Sequence, residues 1–244
     1  MKRTYRAFMK RRGLFSFRVS HKETDLFIQA PEDISRQVSG WIIEARTSIE
    51  AYAASHGGFI ESFTPLPDDP LAPPPVNRML RAGIAAGTGP MAAVAGAIAQ
   101  FVCQKAAALL PDGEIIVENG GDTCFRISGA VTAAIWAGRS PFTGKVGIRC
   151  AGNRTDAGDF LSICTSSGTV GHSRSFGTAD AVTVVSKDAA LADAVATAVG
   201  NMVRSRKDVS VAVERLRDFE GILGGVVIKA DQIGAWGEIE LVPL

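Results

Sequence analysis

The sequence predicts a single α+β domain in which antiparallel sheets lie beside segregated helices. Three observations support this fold class. Short apolar or alternating runs follow one another between turn residues, which is typical of antiparallel strands. Helix patterns occur in separate blocks rather than after every strand. No linker divides the chain, and 244 residues are enough to bury a substantial core, so we expect residues 1–244 to form one domain.

The composition limits the expected partners. Hydrophobic residues make up 46% of the chain, and 26 Lys and Arg balance 25 Asp and Glu. Because the charges nearly balance, no overall electrostatic field attracts nucleic acid or an anionic membrane surface. The expected partner is therefore a small molecule or a protein. The four cysteines form no CxxC pair and no zinc pattern, so free thiols are expected: Cys103, Cys124, Cys150 and Cys164.

Two stretches bear on location. The basic residues between Lys2 and Arg12 are followed by no apolar signal-peptide core, so they are interpreted as a solvated lead-in to the first strand. The apolar stretch of residues 91–110 contains Gln100, Gln104 and Lys105, which favours a buried helix over a membrane span. The expected location is the cytoplasm.

The first third of the chain predicts a hairpin and a helix. Residues 14–20 and 25–29 alternate as two strands around a turn at residues 21–24. Helical spacing of apolar residues then predicts an amphipathic helix that ends at Gly57-Gly58: Ile34, Val38, Ile42 and Ile49. The Pro-rich segment 63–75 predicts a long ordered loop or a lid, because proline removes donors and fixes φ.

A small-residue segment follows. Gly87-Thr88-Gly89-Pro90 opens a helix within residues 83–100, where free amides could hold an anion such as phosphate. The sequence matches neither a Walker A loop nor a dinucleotide fingerprint. Tight helix packing explains the small residues equally well, so both interpretations stay open.

The remaining elements are mainly strands. Strands are predicted at residues 114–118, 123–128, 144–150, 160–165, 181–186, 226–229 and 235–242, and helices at residues 187–203 and 208–219. Between the first two strands lies Asn119-Gly120-Gly121-Asp122. Its glycines suit either the close approach of a ligand or an ordinary hairpin turn.

The helix at residues 187–203 carries a candidate metal site. Asp193 and Thr197 stand four residues apart, which places a carboxylate and a hydroxyl on one face as hard oxygen ligands for a small divalent cation. The alternative is a dipole-complementing Asp and a Thr bonded to its own helix. Asp180 could join Asp122 and Asp193 in an acidic cluster, or cap a turn.

Two side chains are candidate catalytic groups. His172 lies among serines and Arg174, where it could act as an acid or base or donate to a phosphate, although an idle loop histidine is the alternative. Cys164 precedes a Thr-Ser-Ser-Gly turn beside this histidine, which would suit a sulfur-carrying or nucleophilic thiolate. The alternative for Cys164 is a small buried strand residue.

Five motifs in this order resemble the ApbE family, the FAD:protein FMN transferases: Asn119-Gly120-Gly121-Asp122, Thr165-Ser166-Ser167-Gly168, His172, Ala181-Val182-Thr183-Val184-Val185 and Ala192-Asp193-Ala194-Val195-Ala196-Thr197. Over most of its length the chain also resembles an ApbE-like subfamily associated with sulfide assimilation into homocysteine in anaerobes. Residues 87–96, 118–122 and 164–173 carry this second resemblance.

The resemblance implies a T-fold-like domain that binds FAD or FMN, with Mg²⁺ held partly by Asp193 and Thr197. It implies a small phosphorylated ligand, contacted by the Gly-rich and hydroxyl-rich motifs: Gly87, Thr88, Gly89, Asn119, Gly120, Gly121, Asp122, Thr165, Ser166, Ser167 and Gly168. Proteins of sulfur metabolism are expected partners, and apolar edges with the Pro-rich segment would suit a homodimer.

The chain also departs from the transferase pattern. Residues 173–180 are shorter than the matching transferase hairpin, and residues 87–96 lack a Gly-Gly-x-x-Lys-Gly-like stretch. Two hypotheses therefore follow. The protein is either an ApbE-like enzyme that handles a flavin or moves sulfur, or a binding or assembly protein that has lost the transfer chemistry.

Overall fold

The computed structural model describes residues 3–151, 160–169 and 176–244. Helices cover one face of an eight-stranded antiparallel sheet, and a three-stranded antiparallel sheet covers the other. The strands are β1 Phe15–His21, β2 Thr24–Ala30, β3 Ile115–Asn119, β4 Asp122–Arg126, β5 Val131–Ala134, β6 Val146–Cys150, β7 Leu161–Ser166, β8 Ala181–Ser186, β9 Ile222–Lys229, β10 Gln232–Gly237 and β11 Glu240–Pro243. The α+β prediction with antiparallel sheets and segregated helices is confirmed.

The large sheet has the order β1-β2-β3-β4-β7-β8-β9-β10, and the small sheet has the order β11-β6-β5. The helices are α1 Ser35–Ser55, α2 Pro74–Ala86, α3 Val94–Leu109, α4 Ala189–Met202 and α5 Val209–Arg215. Short 3₁₀ turns occur at Thr4–Phe8, Pro90–Ala93, Arg206–Asp208 and Leu216–Asp218. Helices α3 and α4 pack on the central strands and against each other.

Two cores follow from strand periodicity. Successive side chains on a strand point to opposite faces. On β3, Val117 therefore joins the core under the helices, and Ile116 joins the core under the small sheet. On β7, Cys164 and Ile163 divide in the same way. This parity decides which polar side chains can meet at the ends of the strands.

Three expectations need correction. Helix α2 begins at Pro74, inside the segment assigned to a loop, because its two prolines occupy the first helical positions, where an amide has no helical partner. Strand β5 was not predicted, and the strand expected at residues 235–242 is two strands, β10 and β11, in different sheets. The N-terminal lead-in is solvated only in part, since Tyr5 and Arg6 both bind Glu118, whereas Lys10 and Arg12 are exposed.

The apolar segment Pro90–Leu109 is long and apolar enough to cross a membrane by length and composition alone. Its most apolar window is 56% buried within the fold, which is typical of a core helix. It packs against β3, β4 and α4, in agreement with the expected buried helix.

Candidate functional site

The Asn-Gly-Gly-Asp motif is a two-residue hairpin turn. Asn119 pairs with Asp122 across it, and Gly120 and Gly121 have φ values of +72° and +117°, a conformation that favours glycine at both positions. The turn directs Asn119 and Asp122 to the helix-covered face of the sheet. Asn119 Nδ2 donates to the Ala95 carbonyl oxygen over 3.1 Å, which ties the turn to the start of α3.

Asp193 caps the helix next to its own. Its Oδ2 accepts a 2.9 Å hydrogen bond from the Gly96 amide in the first turn of α3, and the Ala95 amide also donates to it. A carboxylate is stabilised at this position by the free amides and the helix dipole. The close approach requires Gly96, because a Cβ there would lie 2.2 Å from the Ala189 carbonyl oxygen of α4.

Asp122 and Asp193 form a buried acid pair. Burial raises the pKa of Asp193 to about 7, although the Gly96 and Ala95 amides oppose the shift. Burial and then the charge of Asp193 raise the pKa of Asp122 well above its usual value, against the hydrogen bond that the Thr165 amide donates to its Oδ1 over 3.2 Å. At neutral pH, one of two such neighbouring carboxyls keeps a proton unless a cation neutralises their charge.

Two hydroxyls lie beside the acid pair. Thr197, one turn beyond Asp193 on α4, donates to Ser166 Oγ at the end of β7 over 3.4 Å. Asp122, Asp193, Ser166 and Thr197 are called the acidic centre below. Within residues 3–151, 160–169 and 176–244, no three His, Cys, Asp or Glu side chains are grouped to hold a metal, so a cation here would depend on the hydroxyls as well.

Asp180 lies apart from the acidic centre. Its Oδ2 accepts from the Ala230 amide at the β9–β10 turn over 2.6 Å, and its Oδ1 accepts from the Thr169 hydroxyl over 3.1 Å. Asp180 therefore stabilises a turn, which was the alternative to its membership of an acidic cluster.

The Cys164 thiol is fully buried beneath α4. It donates to the Ala189 carbonyl oxygen over 3.4 Å. Burial, and then the charges of Asp122 and Asp193, raise its pKa well above the usual thiol value. These surroundings disfavour the thiolate that nucleophilic or sulfur-transfer chemistry needs, and they match the buried strand residue of the alternative interpretation.

The Gly87-Thr88-Gly89 segment is held by packing. Gly87 ends α2 in the left-handed conformation, and the Thr88 amide donates to the Gly83 carbonyl oxygen. A Cβ at Gly89 would lie 1.7 Å from the Ser62 carbonyl oxygen. At the start of α3, where an anion was expected, the Asp193 carboxyl accepts from the amides.

The hydroxyl-rich motif divides between two faces. Ser166 points to the acidic centre, whereas Thr165 Oγ1 lies 3.0 Å from Thr183 Oγ1 on the opposite face. Ser167 Oγ accepts from the Thr169 amide, and Gly168 packs against Gly177. His172, the other catalytic candidate, lies outside the described residues.

Three features of the site were not predicted. They are the cap that Asp193 provides for α3, the bond from Asn119 to Ala95, and the ion pair of Glu118 with Arg6 behind the turn. Each joins residues far apart in sequence. In addition, a groove of about 540 Å³ lies between the Pro-rich segment, α2 and the start of α4, away from the acidic centre, with Arg78, Arg81 and Asp188 on its walls.

Solved structures share the fold. The ApbE protein from Thermotoga maritima has a TM-score of 0.56 at 15% identity, covering 91% of this chain and 96% of that chain. The flavin transferase ApbE from Vibrio cholerae has a TM-score of 0.50 at 11% identity, with the same coverage of 91% and 96%. At such identities the likeness concerns the fold alone.

Sequence relatives extend over nearly the whole chain. A UPF0280 protein of Methanocaldococcus jannaschii is 38% identical over 229 residues, covering 92% of this chain and 91% of the relative. A UPF0280 protein of Methanothrix thermoacetophila is 40% identical over 205 residues, covering 81% of each. The family described as AbpE bacteria matches residues 6–220. The chain therefore belongs to this family.

Proposed function

We propose that the protein binds a phosphorylated flavin, FAD or FMN, together with a divalent cation at the acidic centre. The family and the flavin transferase among its structural neighbours support the flavin part. The observation that carries the cation part is the buried acid pair, because Asp122 and Asp193 face each other without an arginine or lysine in the described residues around them.

The donor types fit Mg²⁺. Two carboxyl groups and the hydroxyls of Ser166 and Thr197 are hard oxygen donors, and a divalent charge would relieve the repulsion between the carboxylates. When bound, the ion would polarise the ligand's phosphates and neutralise their charge. The chain itself orients the donors, since the Thr165 amide fixes Asp122 and the start of α3 fixes Asp193.

A binding protein without transfer chemistry is the second candidate. One observation favours it: the two α3 amides already use the Asp193 carboxyl, which leaves it less free to serve a reacting phosphate. The proposal includes the sulfide-assimilation setting that the subfamily resemblance implies, with the protein acting through its flavin and not through the buried Cys164 thiol.

Calorimetric titration with FAD and with FMN, each with MgCl₂ or with EDTA, tests the proposal. We expect binding that requires Mg²⁺ and is lost in Asp193→Asn, which keeps an oxygen for the Gly96 amide but removes the charge. Asp180→Asn is the matched control, because Asp180 is a buried carboxyl that binds a backbone amide elsewhere. No binding under any condition would refute the flavin, and equal binding in EDTA would refute the cation.

The two candidates differ in turnover. FMN transfer from FAD to a threonine hydroxyl releases AMP, so a transferase incubated with FAD, Mg²⁺ and threonine-containing acceptor proteins from its own organism should produce AMP and covalently flavinylated protein in equal amounts. Binding without AMP release would identify a flavin-binding protein.

A further inference from the structure

We propose that the N-terminal residues 3–6 clamp the Gly120–Gly121 turn through Glu118, so that ligand binding at the acidic centre depends on the docking of this segment. Glu118 is then a positioning residue, and the segment is called the N-terminal clamp below. The effect on ligand binding rests on the proposed function. The docking of the segment on the turn rests only on the contacts described below.

Glu118 joins the clamp to the turn. Its side chain is buried and lies on the face of the sheet opposite to the acidic centre. Oε1 accepts from the Tyr5 hydroxyl over 2.7 Å and from the Gly121 amide over 2.8 Å, and Oε2 accepts from Arg6 Nε over 2.6 Å. One carboxylate therefore binds two residues of the clamp and the middle of the turn.

Arg3 closes the clamp over the turn. A Cβ at Gly120 would lie 3.1 Å from Arg3 Nη2, so the guanidinium lies directly against the turn. Arg3 is itself held by Asp25, whose backbone oxygen accepts from Nη1 over 2.6 Å and whose carboxylate lies 3.2 Å away. The turn is therefore covered by the clamp.

The clamp is fixed by charges. Arg6 also donates to the Asp25 carboxylate over 3.0 Å, and Arg18 donates to the same carboxylate over 2.6 Å. Burial of Asp25 is outweighed by the hydrogen bonds from Arg18 and Arg6, which hold its pKa below the usual value. The Arg6 and Glu118 side chains are 9% and 2% exposed, so solvent and salt screen their ion pair only weakly. Removal of one partner leaves the other charge buried and unpaired, which destabilises the fold.

Coupling to the acidic centre follows from the length of the turn. The Gly121 amide, held by Glu118, immediately precedes Asp122, and Asn119 immediately follows Glu118. Glu118 faces the clamp, whereas Asn119 and Asp122 face α3 and β7. Glycine is intrinsically flexible, so a turn of two glycines needs external contacts to fix the residues on either side. Release of the clamp should therefore loosen Asp122.

Arg6→Met tests the clamp, with Arg11→Met as its matched control. Arg11 belongs to the same N-terminal stretch and forms an ion pair with Glu114 at 2.8 Å, but it does not touch the turn. Tyr5→Phe is the milder variant, since it removes one hydrogen bond to Glu118, and Arg6→Lys is the conservative rescue. Each variant is measured below its unfolding transition for hydrogen exchange of the Gly121 amide and for the affinity for FAD with Mg²⁺.

We expect Arg6→Met to speed Gly121 exchange and weaken FAD binding by roughly tenfold, as for a lost charge-assisted hydrogen bond. Tyr5→Phe should give a smaller change in the same direction, Arg6→Lys should recover part of the loss, and Arg11→Met should change neither readout. Equal changes in Arg6→Met and Arg11→Met would overturn the clamp. If the wild-type protein binds no flavin, the proposed function fails, and Gly121 exchange alone decides whether the clamp exists.

Discussion

The two faces of the β3–β4 hairpin contain buried acids in opposite electrostatic settings. On one face Glu118 is paired with the Arg6 guanidinium and the Tyr5 hydroxyl. On the other face, four residues later, Asp122 is surrounded by the Thr165 amide, the Cys164 thiol and a second carboxyl, Asp193, with no arginine or lysine beside it in the described part of the chain. The same short turn therefore separates a compensated carboxylate from an uncompensated pair.

The difference distinguishes a structural acid from a candidate binding group. A buried carboxylate with an arginine partner is already satisfied and has no need of a ligand. In a buried acid pair without a cationic partner, burial and mutual repulsion raise the pKa values of the carboxyls. Such a pair retains a proton or binds a cation. The arginine-paired face should therefore respond to mutation, and the acidic centre should respond to pH and to divalent ions.

The largest expected effect is the pH dependence of stability that Asp193 causes. Burial raises its pKa from 3.8 to about 7, so between these values the folded state binds more protons than the unfolded state. The contribution of Asp193 to the free energy of unfolding therefore decreases by roughly 4 kcal/mol as the pH rises through this window. Above the window this contribution is constant. Urea unfolding between pH 4 and 8 in EDTA measures the slope, which Asp193→Asn should reduce, while Asp122, whose pKa is raised first by burial, keeps part of it.

Asp122, whose pKa is also raised, adds to this slope, whereas Glu114 does not. The hydrogen bond from Arg11 lowers the pKa of Glu114 to about 2, so its contribution is lost only in stronger acid, and its sign is opposite. Asp180→Asn, which removes a buried carboxyl outside the acidic centre, is again the control. An identical slope in wild type and Asp193→Asn would show that the acidic centre is not strained in the way described.

The next effect concerns the arginine-paired face. Arg6→Met leaves Glu118 buried without its cation and should cost about 3 kcal/mol in urea unfolding. Replacing both partners, in Arg6→Met with Glu118→Gln, should recover part of that loss. Arg206→Ala is the comparison, because the Arg206–Asp231 pair is exposed at 61% and 58% and should contribute under about 1 kcal/mol. A loss in Arg6→Met no larger than in Arg206→Ala would contradict the comparison of the two faces.

Local patterns in the sequence were sufficient for much of the fold. The β1–β2 hairpin and α1 follow from alternation and from helical spacing, because β2 and α1 are buried on one side and β1 alternates between exposed and half-buried residues. Helix α2 was missed because prolines at its start were interpreted only as helix breakers. Strand β5 was missed because its four residues lack a strong apolar pattern and are defined by pairing with β6.

The site could be predicted only in part. The spacing of Asp193 and Thr197 correctly places both side chains on one face of α4, and Asn-Gly-Gly-Asp is the turn that its residues indicate. The bond between Asp193 and Gly96 spans 97 residues, and the bond between Arg6 and Glu118 spans 112. Contacts of this kind depend on the arrangement of whole elements, which periodicity within one element does not contain.

The smallest effect is expected for substitution of Cys164, which tests whether the acidic centre uses a thiol. Cys164 lies on the same face as Asp122, but its thiol is buried, and burial together with the neighbouring carboxylates raises its pKa. We expect Cys164→Ala to cost about 1 kcal/mol through lost packing and to leave FAD affinity unchanged. In the wild-type protein at pH 8, a thiol reagent should modify Cys164 only after denaturation. The denatured protein is the control, because it shows that the reagent can modify this thiol. Rapid modification of the native thiol would instead mean that the β7 end of the acidic centre opens to solvent and that a role for sulfur there has to be reconsidered.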